Sequence, residues 1–170
     1  ILSFTAHEIW QELPGERAES VFLADWYQGL APLTGESGVL CRGYWDQVMA
    51  VKTAVNKEIE EARNRKEVGS GLSAEVDLYV APDLKQHLAV LGDELRFVLI
   101  TSAARLNDEG DAGQVTEVAG LRVKITPSAY TKCVRCWHYR ADVGSHPDHP
   151  EACARCVENV AGAGEKRLFA

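Results

Sequence analysis

The chain has 170 residues, of which 46% are hydrophobic and 25% charged. These proportions exclude a disordered, collagen-like or low-complexity polymer and predict one or two small folded domains. The formal net charge of -7 excludes the general basicity of a free-standing nucleic-acid-binding domain, so any RNA contact must be local. No apolar run approaches the roughly 18 residues of a membrane span and no basic-then-apolar leader opens the sequence, so a cytoplasmic protein without membrane association is expected.

Ile1-Leu2-Ser3-Phe4 reads as the tail of an apolar element, which predicts that the chain is a fragment. Thr5 followed by Glu8 has the pattern of a capping box, predicting a short helix with Ile9, Trp10 and Leu13 on its apolar side and a stop at Pro14-Gly15. From Glu16 to Gly43 no period is sustained, and residues 31–43 read as a linker between domains. Between Tyr44 and Val68, Trp45, Val48, Val55, Ile59 and Ala62 recur at helical spacing while Lys52, Lys57, Glu58, Glu61 and Arg65 fall elsewhere. This predicts a long amphipathic helix ended by Gly69-Ser70-Gly71. Glu75 to Val80 alternates as a half-buried strand with Val76, Leu78 and Val80 inward. Pro82 is placed to open a helix through Leu91, Phe97 to Ile100 is an apolar run of strand length, and Leu121 to Ile125 alternates again. The fold class expected for residues 44–129 is therefore α+β. Cys41, alone after Val39-Leu40, reads as a small buried side chain.

The strongest motif follows. Cys133-x2-Cys136, sixteen intervening residues and Cys153-x2-Cys156 fit the spacing of a four-cysteine zinc site, here residues 130–170. Two residues between cysteines allow one tight turn to aim both sulfurs at a point, and two such turns complete a tetrahedron. Closed coordination makes the ion structural, supplying folding free energy that a small module lacks. Disulfides or a redox Cys-x-x-Cys are the alternatives; redox chemistry calls for one pair rather than two. His138, His146 and His149 could each replace a cysteine ligand, but the spacing assigns them to the surface or to support of the ligands. The Gly162-x-Gly164 pair is too short for a nucleotide loop and marks a turn.

Residues 132–170 hold six Lys/Arg against five Asp/Glu, leaving twelve against twenty for the rest, so the tail is much less acidic than the body. Four thiolates on one zinc ion would remove most of that advantage. Arg135, Trp137, Arg155, Lys166 and Arg167 combine cations with a stacking surface, a mixture suited to single-stranded RNA loops, and are the candidate RNA contacts. The competing reading is a structural or protein-interaction zinc ribbon with solvated cations.

With these residues laid out, the chain resembles the C-terminal end of a bacterial isoleucyl-tRNA synthetase. The carriers are Leu2-Ser3-Phe4-Thr5-Ala6-His7-Glu8-Ile9-Trp10, Trp26-Tyr27, the Val55-Asn56-Lys57 to Ala62-Arg63 block, and Lys132-Cys133-x-Arg135-Cys136-Trp137. The run from Cys153 through Val157 to Asn159-Val160 and the closing Gly164-Glu165-Lys166-Arg167 complete them. The resemblance implies that residues 1–30 end a helical anticodon-binding bundle and that the cysteine block is the zinc-binding end found in bacterial members. It implies a parent enzyme, a monomer, that charges the isoleucine tRNA using ATP. The His-x-Gly-His and Lys-Met-Ser-Lys-Ser signatures that grip ATP are absent here, so no catalytic or cofactor-binding residue carries over. What is implied for this segment is non-catalytic binding of the anticodon side of tRNA, beside the remaining synthetase domains.

Overall fold

Helix α1 (Ser3–Glu12) opens a computed structural model that describes residues 2–30 and 41–169. The linker expected over 31–43 thus lies mostly outside the described residues. The chain divides into two compact units, Ile1–Thr34 and Gly35–Ala170. In the first, α1 begins two residues before the predicted capping box: Leu2 is its N-cap, and no side chain caps it. The Ala6 N–H already donates to the Leu2 carbonyl at 2.7 Å, so the helical ladder encloses Thr5 and leaves its hydroxyl no N-cap role. The helix stops at Glu12 because Leu13, preceding Pro14, is driven into extended backbone. Trp10 Nε1 donates to the Ala18 carbonyl (2.7 Å), and the Ser20 hydroxyl lies 3.2 Å from His7 Nδ1, folding the following segment back along α1. A 3-10 turn, Val21–Leu23, completes this unit, and neither element buries a side chain fully.

In the second unit, α2 (Arg42–Asn64) begins two residues before Tyr44, with Cys41 as its N-cap, half-buried and packed against the edge of the core. Its apolar face is Val48, Val51, Val55, Ile59 and Ala62, all buried. The helix ends ahead of the glycines expected to stop it. Lys66 adopts the left-handed conformation (φ 62), its N–H donates to the Arg63 carbonyl, and the Glu67 N–H reaches the Ala62 carbonyl. This pair of bonds terminates a helix through the Schellman geometry, usually with glycine where Lys66 stands.

A four-stranded sheet, with residues 103–108, 74–80, 121–127 and 114–115 side by side in that order, carries the rest of the body. Strand β1 (Ala74–Val80) pairs antiparallel with β4 (Leu121–Pro127), setting Val76, Leu78 and Val80 opposite Ile125, Val123 and Leu121. Those residues, α2, α3 (Pro82–Ala89) and α4 (Leu95–Leu99) build one core in which Leu84, Leu88, Leu91, Leu95 and Leu99 are buried. The run Phe97 to Ile100, expected as a strand, is instead the end of α4 and its left-handed cap at Ile100 (φ 57). Leu91, Leu95 and Leu99 recur every four residues, and this helical period outweighs the run's short apolar length. The strand it displaces is β2 (Ala103–Asp108), parallel to β1. Ala104 and Leu106 pack on the core while Arg105 and Asn107 meet Asp77 on the other face, an alternation too short to stand out beside the longer apolar run before it. The two-residue β3 (Gln114–Val115) closes the other edge.

On the face away from the core, Arg105 donates to Asp77 Oδ1 (2.7 Å) and to Glu75 Oε2 (2.6 Å), and Ser128 Oγ donates to Glu75 Oε1 (2.7 Å). Both oxygens of the buried Glu75 side chain therefore have hydrogen-bond partners. Hydrogen bonds from Arg105 hold the Asp77 carboxyl below its usual range.

Two outcomes follow for stability. Lys66→Gly removes a left-handed non-glycine residue and raises the unfolding free energy by about 1 kcal/mol, with the denaturant slope unchanged. Asp77→Asn destabilises the chain at neutral pH, but the deficit shrinks as pH falls below about 4. The depressed carboxyl of the parent chain stabilises only while ionised, so acid removes its advantage. Urea titrations at several pH values measure both, and a pH-independent deficit contradicts the second.

Candidate metal centre

After β4 the chain makes a short hairpin, β5 (Thr131–Lys132) against β6 (Tyr139–Arg140), whose turn carries the first cysteine pair. The Cys133 N–H donates to the His138 carbonyl (2.9 Å) and the Trp137 N–H to the Cys133 carbonyl (3.0 Å), with Trp137 left-handed (φ 64). These bonds tighten the turn until Cys133 and Cys136 face the same way. The second pair sits at the start of α5 (Ala154–Ala161): Cys153 is the extended N-cap and Cys156 lies in the first turn. Helix geometry alone thus turns both sulfurs to one side, where the partial positive charge of the helix start favours anions. The Val134 N–H donates to the Glu151 carbonyl (3.1 Å), joining the two turns.

The four sulfurs converge within 4.8 Å of one another, and all four are free of disulfides. Cys136 Sγ approaches Cys153 Sγ of the other pair at 3.7 Å. A tetrahedral ion with arms near 2.3 Å requires sulfur edges of about 3.8 Å, so the donors match a four-coordinate thiophilic cation in both chemistry and spacing. Cys133, Cys153 and Cys156 are buried. Burial pushes the Cys153 thiol up to about 12 and raises Cys156 too. Burial also opposes charge on Cys133, but the N–H groups of Cys136, Cys153 and Arg135 outweigh it and bring that thiol down to about 6. Further donors stand ready for thiolates: the Cys153 N–H lies 3.3 Å from Cys133 Sγ, and Arg135 Nη1 lies 3.7 Å from Cys156 Sγ. Four anionic sulfurs this close require a cation among them; the arrangement suits a closed structural site with no open position for substrate.

His138 is buried beside this site, with Nδ1 3.2 Å from the Cys136 carbonyl and its ring edge-on to Phe97. It supports a ligand's backbone, whereas His146 is exposed and His149 half-buried in the intervening loop. Among the candidate RNA contacts, Trp137 is 58% exposed with Lys132 Nζ 5.2 Å from its ring centroid. Arg135 and Lys166 are also exposed. Arg155 and Arg167 differ: both donate to Glu165 Oε1 (2.8 and 2.9 Å) and both stand over Phe97. The structure therefore brings Arg155 and Arg167 onto a shared carboxylate and ring, while Arg167 stays exposed and Arg135 also reaches Cys156 Sγ. Sequence reasoning missed Phe97, Glu94 and Ser102, whose hydroxyl accepts from the Tyr139 N–H (2.6 Å) and fixes the hairpin to the body. Such roles arise from long-range contacts and leave no local pattern.

Residues 132–159 match the family described as "Zinc finger found in FPG and IleRS". Over its whole length the chain is similar to isoleucine-tRNA ligases, which are aminoacyl-tRNA synthetases. It is 59% identical to that of Azotobacter vinelandii and 58% identical to that of Pseudomonas putida strain W619, in each case over 100% of this chain. It is 54% identical to that of Methylococcus capsulatus over 99% of this chain. The chain spans 18% of the length of each of these relatives. A zinc-finger match and a four-cysteine cluster together support a structural zinc.

A chelator should therefore raise the number of cysteines open to a thiol reagent and strip amide-exchange protection from β5, β6 and α5, while β1 and β4 stay protected. Unchanged protection of the hairpin after metal removal contradicts a structural site.

Proposed function

We propose that this chain is the C-terminal, zinc-bearing segment of a cytoplasmic isoleucine-tRNA ligase. In this reading it helps that enzyme grip the anticodon side of the isoleucine tRNA and carries no catalytic site. The observation that carries the reading is similarity to these ligases over the whole of this chain combined with exposed cations and an exposed Trp137 beside the four-sulfur cluster. One Zn²⁺, held by Cys133, Cys136, Cys153 and Cys156, neutralises the thiolates and fixes the two turns relative to each other. The chain's own residues do the rest. Trp137 offers a flat face to an unstacked base, and Lys132 at its ring, Arg135 and Lys166 offer cations to phosphates. Adenylate formation with ATP and transfer of isoleucine belong to other domains of the parent enzyme, a monomer.

Remote contacts of this kind orient the acceptor end and are realised in the transition state, so they raise rate as well as affinity. Residues 1–30 are the end of the helical anticodon-binding bundle, 44–129 a mixed domain and 130–170 the zinc module. Phe4 at 88% and Trp26 at 91% exposure support a first unit whose apolar side is covered by preceding helices of the parent chain.

Binding of isoleucine tRNA to the full-length ligase should weaken steeply with salt. Lys132→Gln and Lys166→Gln should each lower the slope of log affinity against log salt by about one. Trp137→Ala should weaken binding on the order of tenfold with zinc retained. Unchanged affinity and charging rate in all three variants would favour a structural or protein-interaction zinc ribbon instead.

A further inference from the structure

We propose that residues 162–169 form a strap that locks the zinc module against the α/β body, with Phe97 as its bearing surface and Glu94 as its anchor, and that Arg155 and Arg167 position the module rather than touch RNA. The second half rests on the tRNA-binding reading; the first does not. Beyond α5 the chain turns at Gly164 (φ 89), whose N–H returns to the Glu158 carbonyl at 3.1 Å. The turn is tied by Asn159, which accepts from the Glu165 N–H (2.9 Å) and donates to Glu165 Oε1 (3.0 Å). Glu165 thereby stands where Arg155, from the first turn of α5, and Arg167, from the strap, both reach it.

Those two guanidinium groups converge on one ring. The Arg167 Cζ lies 4.0 Å from the Phe97 centroid, the Arg155 Cζ 5.0 Å and the Arg96 Cζ, from the body, 4.1 Å. The His138 ring meets it edge-on at 5.7 Å. A phenyl face attracts cations through its quadrupole, and the attraction grows where water is partly excluded, as around half-buried Phe97. Mutual repulsion of the arginines is relieved by Glu165 for two of them and by Asp93, 2.9 Å from Arg96 Nε, for the third. Further along, the Glu94 carboxylate accepts the Leu168 and Phe169 N–H groups, each at 2.7 Å, and the Phe169 side chain packs on the core. The strap thus ends on the body that α5 faces. Arg155, its side chain 19% exposed, and Arg167, at 35%, each spend a donor on Glu165 and lie over the ring, so binding a phosphate there would compete with contacts that hold the strap.

The test uses the full-length ligase with Phe97→Leu, Phe97→Tyr or Arg167→Gln, reading zinc content, amide exchange of residues 131–141 and 164–169 without RNA, and tRNA affinity across salt. Phe97→Leu keeps apolar volume but loses the π face, and Phe97→Tyr keeps both. The expected result is exchange on the order of tenfold faster in Phe97→Leu and Arg167→Gln, with zinc retained and Phe97→Tyr unchanged. Their tRNA affinity falls about five- to tenfold with no change in salt slope. Unaltered exchange in Phe97→Leu overturns the strap. A slope lower by about one in Arg167→Gln with unaltered exchange makes Arg167 a phosphate contact and overturns its positioning role. A parent ligase that binds tRNA equally well without the zinc module overturns the tRNA reading, and the exchange data still decide the strap.

Discussion

Four sulfurs held within 4.8 Å of one another, three of them buried, are a standing electrostatic problem whose solution organises residues 131–169. As thiols they leave polarisable groups facing each other with nothing to gain; as thiolates they repel. A divalent cation converts the repulsion into coordination, and the free energy released is folding free energy for a segment with only two two-residue strands and one short helix of its own. The hairpin turn, the N-cap at Cys153 and the loop carrying His146 and His149 are all consequences of that convergence.

The body solves a different problem with ordinary means. A long helix and two shorter ones cover one face of a mixed sheet, and the opposite face is neutralised by Arg105 between Glu75 and Asp77. Because the core is complete without the cysteines, the module needs its own attachment. That attachment is polar and aromatic: Ser102 to the hairpin, Phe97 beneath three arginines, and Glu94 to the end of the strap. Directional contacts of this type set orientation more tightly than an apolar patch of the same size.

Much of this was legible in the sequence where a single period or spacing dominates. The helical stripe of Val48, Val55, Ile59 and Ala62, the alternation at Val76, Leu78 and Val80, and the paired Cys-x-x-Cys each reflect one local rule, and the folded chain follows all three. Misreadings occur where two rules compete. Thr5 and Glu8 fit a capping box, yet the helical ladder simply starts earlier; Phe97 to Ile100 fits a strand by length, yet Leu91, Leu95 and Leu99 impose a helical period. Lys66 stops α2 although three candidate stop residues follow it, because a Schellman turn needs a left-handed residue and not specifically glycine. The convergence of Arg155 and Arg167 on one ring was not legible at all, since it depends on residues as distant in sequence as Phe97 and Arg167.

The central claim is that four cysteine sulfurs hold one zinc ion and that this organises the C-terminal module. X-ray absorption at the zinc edge on the purified full-length protein tests it most directly, after allowance for any other zinc site in the parent chain. The account predicts a stoichiometric ion with four sulfur neighbours near 2.3 Å. A shell that includes nitrogen from a histidine, or a folded and reduced protein whose module contains no zinc, would contradict it.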